Sequence, residues 1–208
     1  MLLKDMTVEQ FSDILASSAP APGGGSVAAL NGVLAAALVN MTGGLTLGKE
    51  KYREFHGEMQ EIMSAAGDLK KSLLAAIDED TEAFNKVSAV FSMPKDTPEE
   101  KATRSEAMQS ALKGAAKTPL ETMKAAYGCL KLADRAYGKT NTSCLSDYGS
   151  SVLCAMACVR AAWLNVKINI QGIKDEAFRE QTGNAAREIL AESEKLAEEL
   201  YRKIEQDL

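Results

Sequence analysis

The sequence predicts an all-α fold, and three observations carry that prediction. Of the 208 residues 46% are hydrophobic, with much alanine, yet only 5% are aromatic, a balance that suits helices packed closely through small side chains rather than sheets. Apolar residues recur at steps of three and four over long stretches, and no strand-like alternation of useful length appears. No Pro/Ser-rich linker divides the chain, so residues 1–208 read as a single domain around one core. The formal net charge of -5 is spread without a basic stripe, which argues against nucleic-acid binding.

The start, Met1-Leu2-Leu3-Lys4-Asp5, acquires charge at once, so no leader peptide is expected. Thr7-Val8-Glu9-Gln10 is a capping-box pattern, and Val8, Phe11, Ile14 and Leu15 form the apolar face of a short first helix. Pro20-Ala21-Pro22-Gly23-Gly24-Gly25-Ser26 follows. Two prolines and three glycines forbid regular structure up to Ser26, and Val27-Ala28-Ala29-Leu30 resumes helix. Such a turn either is a plain loop with Ser26 as helix cap, or presents free backbone N–H groups and a helix dipole to an anion or a polar heterocycle. The second helix is uncharged from Val27 to Leu47, and Ala28, Gly32, Ala36, Asn40 and Gly44 give it a low-profile stripe that another backbone can approach. Ile14 to Gly48 is long enough to span a bilayer, but its glycine and alanine content and Asn31, Asn40 and Thr42 favour a buried soluble helix.

A long helical pattern then runs to about Phe91, with the seam Tyr52, Phe55, Met59, Ile62, Ala66, Leu69, Leu73, Ile77, Asp80, Phe84, Val87 and Phe91. Asp80 stands at a seam position. A carboxylate there needs a partner, a proton or a function. Thr97-Pro98-Glu99-Glu100 starts the next helix, Pro119 ends or kinks it, and a further helix from Leu120 stops at Gly138. Ser146 reads as the cap and Asp147 as the first-turn acid of another helix, uncharged from Tyr148 to Val159, whose small face runs through Ser151, Cys154, Cys158 and Ala161 to Asn165 and Asn169. From Asp175 to Leu208 the pattern is a charged amphipathic outer helix.

These residues exclude several chemistries. There is one histidine, His56, read as a surface residue, and no Gly-x-Ser-x-Gly elbow, so no nucleophilic triad is expected. Cys129, Cys144, Cys154 and Cys158 contain no C-x-x-C pair and read as core packing in a reducing compartment; no metal site is expected. What remains is carboxylate acid–base chemistry from Asp80 and Asp147, cationic help from Lys49 or Lys51, and the helix starts at Ser26 and Ser146. That set suits attack of water on an already cationic carbon.

Pro20 to Ala29, Gly48-Lys49-Glu50-Lys51-Tyr52, Asp80-x-x-Ala83-Phe84, Met93-Pro94-Lys95-x-Thr97-Pro98-Glu99-Glu100-Lys101, Ser146-Asp147 and Asn165-Val166-x-x-Asn169 together resemble the formiminotransferase-cyclodeaminase C-terminal domain family and its free-standing bacterial methenyltetrahydrofolate cyclohydrolases. The likeness extends over nearly the whole chain; where the family commonly has Gly-Asn, this chain has Thr140-Asn141. The resemblance implies a cytoplasmic, all-helical homodimer, a bundle of long antiparallel helices, with no cofactor beyond its tetrahydrofolate substrate. It implies hydrolysis of 5,10-methenyltetrahydrofolate, with formimidoyltetrahydrofolate cyclodeamination, releasing ammonia, as the alternative. A non-catalytic folate-binding or scaffold dimer is the third reading. Under this resemblance Asp147 is the expected general base, and Asp80 holds the pterin or relays protons. Gly23, Gly24, Gly25 and Ser26 contact folate, Lys49 and Lys51 meet its glutamate tail, and Asn141, Ser146, Asn165 and Asn169 complete the substrate site.

Overall fold

A computed structural model describes residues 2–208, and among them helices are the only regular elements. They are α1 (Val8–Leu15), α2 (Gly24–Thr46), α3 (His56–Phe91), α4 (Pro98–Ala136), α5 (Leu145–Ile170) and α6 (Glu176–Asp207). Short 3-10 turns at Leu3–Asp5, Glu50–Phe55 and Thr142–Cys144 precede α1, α3 and α5. The predicted capping box of Thr7 with Gln10 forms, and the expected start at Thr97 is a second capping box, with Glu100. Gly138, with φ of 75°, ends α4 in the left-handed region that glycine enters without penalty.

α2 to α5 make an up-and-down bundle, and α6 covers α4 and α5. Antiparallel pairing follows from the contacts. The start of α2 meets the end of α5 at Gly24 and Asn165, while Asn141, just before α5, donates its N–H to Thr46 Oγ1 at 2.8 Å. The predicted stripe on α2 lies against both neighbours: a Cβ on Gly32 would meet Leu73 Cδ2 at 2.7 Å and Cys158 Sγ at 3.0 Å. Close backbone approach of this kind is why α2 and α5 are built from small residues. Ala28, Ala36, Leu73, Leu130, Val159 and Cys158 lie in the core, all fully enclosed.

Several expectations need correction. On α1 only Phe11 is buried; Val8 points to solvent because a helix this short packs along a single edge. His56 opens α3 and is partly buried, its Nε2 lying 3.3 Å from the Lys49 carbonyl. Ser146 does not cap α5, since the 3-10 turn Thr142–Cys144 runs straight into it and Asn141 Oδ1 caps that turn by accepting the Ser143 N–H at 3.1 Å.

Pro119 neither ends nor breaks α4, which is one continuous helix from Pro98 to Ala136. A proline at 119 cannot donate to the carbonyl four residues back, that of Ala115. Asn169 on α5 supplies the missing donor: its Nδ2 reaches the Ala115 carbonyl at 2.7 Å. The helix thus survives because a neighbouring helix satisfies the group that proline orphans. Accordingly, Asn169→Ala is expected to destabilise the fold by about 1–3 kcal/mol, the cost of a buried carbonyl without a partner. Pro119→Ala in that background restores an N–H and should recover part of the loss. Urea denaturation of the two variants checks both steps, and equal stability of single and double variants would remove this account of Pro119.

Candidate active site

The glycine segment does more than turn the chain. α2 starts at Gly24, with extended Gly23 as its N-cap, so the expectation of a loop up to Ser26 with Ser26 as cap is corrected. Ser26 is instead the third helical residue and fully buried. Its hydroxyl turns away from its own helix toward α3, where its one proton is shared between the Ile77 carbonyl at 2.9 Å and the Asp80 carboxylate. The cap comes from another element. Asp80 Oδ2, also on α3, accepts the Ser26 N–H at 2.9 Å and lies 3.1 Å from Ser26 Oγ. An anion here meets the positive end of a 23-residue helix.

Only one of the three glycines is sterically required. A Cβ on Gly25 would land on the Asp80 carboxylate, whereas one on Gly23 meets nothing and one on Gly24 would make an ordinary 3.6 Å contact with Asn165 Nδ2. Gly25 is therefore the seat of the carboxylate. With the Ser26 N–H engaged, those of Gly24 and Gly25 are the first-turn donors left for a ligand.

Burial drives the Asp80 pKa upward, and the two hydrogen bonds from Ser26 oppose that rise without cancelling it. The net direction is up, which favours the protonated form relative to an ordinary aspartate. Asp80 stands in a cavity of about 260 Å³ between Gly23–Gly25, α3, α4 and α5. Phe84, one turn along α3, gives it an aromatic wall that is 41% exposed. Asn165 and Asn169 line the opposite side. Each donates through Nδ2 to a backbone carbonyl, Asn165 to Ala161 at 2.9 Å and Asn169 to Ala115 at 2.7 Å. Their amide planes are fixed by those bonds, which leaves each side-chain carbonyl oxygen as an acceptor for a ligand.

Gly23, Gly24, Gly25, Ser26, Asp80, Asn165 and Asn169 are therefore gathered in one place. The remaining predicted residues are not. Lys49, Lys51, Asn141, Ser146 and Asp147 cluster at the other end of the α2–α5 pair. Asp147 and Asn165 are both on α5, eighteen residues apart, which is about 27 Å at the helical rise. One chain cannot bring Asp147 to the Asp80 cavity, which corrects the expectation of two carboxylates on one ligand. Lys51 lies over its neighbour's ring, 5.2 Å from the Tyr52 centroid, and both lysines are exposed.

Phe84 and Leu112 are site residues that the sequence did not identify. Phe84 carries two signals, its place in the apolar seam past Asp80 and in the Asp80-x-x-Ala83-Phe84 motif, but neither by itself separates a ligand contact from packing. Leu112 on α4 carried none. The cysteines supply no nucleophile: all four are free, burial pushes Cys129 up to about 12, and it raises Cys154 and Cys158 as well. Among the described residues no three of His, Cys, Asp and Glu gather into a metal-binding group.

A family model described as formiminotransferase-cyclodeaminase matches residues 7–188. The chain belongs to that family. Within the formiminotransferase-cyclodeaminase family it is 40% identical to a methenyltetrahydrofolate cyclohydrolase of Methylorubrum extorquens over 198 residues, 95% of each chain. It is 30% identical to the formimidoyltransferase-cyclodeaminase of Rattus norvegicus over 191 residues, covering 92% of this chain and 35% of that one. Its fold is similar to the crystal structure of a formiminotetrahydrofolate cyclodeaminase from Thermotoga maritima, with a TM-score of 0.83, 28% identity and coverage of 99% and 97%. The gathered cavity residues belong to the motifs that first suggested this family.

The raised Asp80 pKa has a thermodynamic consequence with a definite sign. Folding favours its protonated form, so the stability it contributes is complete below the ordinary aspartate value and is lost as pH rises through the elevated folded value. Asp80→Asn keeps an acceptor for Ser26 and removes that loss. The variant is expected to be at least as stable as the parent at neutral pH, with a flatter profile above the ordinary aspartate value. Urea midpoints across that range check it; destabilisation of the variant by more than about 1 kcal/mol at neutral pH would contradict the assignment.

Proposed function

We propose that this chain hydrolyses 5,10-methenyltetrahydrofolate to 10-formyltetrahydrofolate, with Asp80 as the acid–base group. The observation that carries the proposal is the half-buried Asp80 carboxylate with its raised pKa, seated on Gly25 and Ser26 in a cavity with an aromatic wall and two fixed amides. The Methylorubrum extorquens relative named for this reaction, 40% identical over 95% of both chains, supports the choice of substrate.

The substrate's bridging carbon is already cationic, so water needs positioning and a proton acceptor rather than a metal-activated hydroxide. Asp80 takes a proton from water as the oxygen–carbon bond forms, giving a neutral tetrahedral carbon between N5 and N10. It then returns that proton to N5 as the carbon–N5 bond breaks, and the hydroxyl proton leaves to solvent as the formyl group forms on N10. One carboxylate thus serves both steps. Phe84 offers a face to the substrate's ring system, and the Asn165 and Asn169 oxygens accept from pterin N–H groups. Water supplies the only other reactant, and tetrahydrofolate remains the carrier.

A second reading is favoured by the Thermotoga maritima likeness, which spans nearly both chains. Cyclodeamination of 5-formimidoyltetrahydrofolate passes through a tetrahedral carbon bridging the same two nitrogens, so the same cavity could protonate the leaving ammonia. Under either reading the chain works in the cytoplasm as a homodimer. The open faces of α2 and α5 suit that assembly: Leu34 is 47% exposed, Leu164 64% and Ile168 65%, on the two helices with the longest uncharged runs. Both helices are long and apolar enough to cross a membrane by composition alone, yet within the fold they pack on each other and on α3 and α4.

Purified protein is expected to accelerate loss of the near-ultraviolet band of methenyltetrahydrofolate, and Asp80→Asn to lower kcat by about 100-fold or more. Asp147→Asn, changed far from the cavity, should stay within about threefold of the parent. Ammonia release from formimidoyltetrahydrofolate without methenyl hydrolysis would select the cyclodeaminase. Folate binding without either reaction would leave only a binding protein. A separate expectation concerns assembly: Leu34→Glu with Leu164→Glu should halve the mass measured by light scattering, and an unchanged mass would place the interface elsewhere.

A further inference from the structure

One cluster of charged groups takes no part in the chemistry above: a basic pocket one helical turn beyond the Asp80 cavity. It has a volume of about 310 Å³ and is lined by Phe91 of α3, by Lys101, Arg104 and Met108 of α4, and by Lys174 of the α5–α6 connection. We infer that this pocket receives the carboxylates of the substrate's glutamate tail, an inference that rests on the folate reading above.

Three observations carry it. First, the two pockets are neighbours in one groove between α3 and α4. Val87 and Leu112 line the Asp80 cavity, and Phe91 and Met108, each four residues away on the same helix, line the basic pocket. Asp80 to Phe91 is eleven residues of α3, about 16 Å of helix. Along that distance the groove changes from polar at Asp80 and Asn165, through the exposed rings of Phe84 and Phe91, to cationic at Lys101, Arg104 and Lys174. A polar heterocycle, an aromatic linker and a dicarboxylate tail follow one another in the same order in a folate.

Second, the cations are unpaired in a protein whose net charge is -5. Among the described residues Lys101, Arg104 and Lys174 have no ion-pair partner, whereas nearby Lys113 is bound to Asp175 at 2.6 Å. The adjacent acid Glu100 is already engaged by the N–H groups of Asp96 and Thr97, at 2.8 and 3.0 Å. Three like charges around one small pocket repel one another until an anion enters.

Third, two of the three cations are held in place. Arg104 donates through Nε to the Val90 carbonyl at 3.0 Å, which leaves its terminal nitrogens to the pocket. Lys174 donates through Nζ to Ser105 Oγ at 3.2 Å and through its backbone N–H to Gln109 Oε1 at 2.7 Å, and Gln109 in turn donates to the Gly172 carbonyl at 3.0 Å. Lys49 and Lys51, the residues first expected to meet the tail, lie at the far end of the bundle from Asp80.

The test compares tetrahydrofolate with tetrahydropteroate, which lacks the glutamate, by equilibrium binding to the full chain. The parent is expected to prefer tetrahydrofolate. Lys101→Ala and Lys174→Ala, both at exposed positions that leave the fold intact, should each weaken tetrahydrofolate about five- to tenfold and leave tetrahydropteroate unchanged. Added salt should narrow the parent's preference in the same direction. Equal binding of the two ligands by the parent, equal weakening of both in the variants, or no weakening at all would each overturn the inference. Kinetics report separately on the reaction: with methenyl substrate the variants should raise KM and keep kcat, so absence of turnover would remove the hydrolase while the binding ratio still decides the tail site.

Discussion

The contact on which the rest of this structure depends is that between the Asp80 carboxylate and the first turn of α2. Three features of the chain exist to make it possible. Gly25 has no side chain because the carboxylate occupies that space; Ser26 is buried because its N–H and hydroxyl both face α3; and the apolar seam of α3 admits a charged residue at one place only, where a helix N-terminus awaits it. The contact closes one end of the α2–α3 pair and sets the floor of the cavity. It also keeps a carboxylate half-buried, with a pKa raised by burial and restrained by two hydrogen bonds.

A second constraint operates on the other side of the same cavity. Pro119 removes a donor from the middle of α4, and Asn169 of α5 replaces it at the Ala115 carbonyl. The same bond fixes the Asn169 amide beside the ligand space. Stability and recognition therefore share an interaction here, as they do at Ser26. Such sharing explains how a small-residue bundle holds polar groups still without long side chains. It also ties the geometry of the cavity to the register of all four bundle helices, because each contributes one of the groups that define it.

The helices α2 and α5 have a double use. Their inner faces pack through Ala28, Gly32 and Cys158 closely enough that a methyl on Gly32 would collide with Leu73. Their outer faces leave Leu34, Leu164 and Ile168 in contact with solvent. Small residues inside and apolar residues outside lie on the same helices, which is why composition alone cannot separate a core helix from a membrane span or an assembly surface.

Much of this protein was determined by its sequence alone. Local rules decide the helix class, the caps at Thr7 and Thr97, and the stop at Gly138, because each depends on residues within a turn of one another. The anomaly of Asp80 in an apolar seam was also legible, since periodicity is a property of a single helix. Tertiary structure decided what the anomaly meets. That Asp80 caps α2, that Asn169 rescues Pro119, and that Asp147 lies about 27 Å from the cavity all depend on which ends of antiparallel helices coincide. Two acids at helical starts look equivalent along the chain, but only packing tells which of them shares a pocket with the glycines, since that requires knowing the direction in which α5 returns past α2.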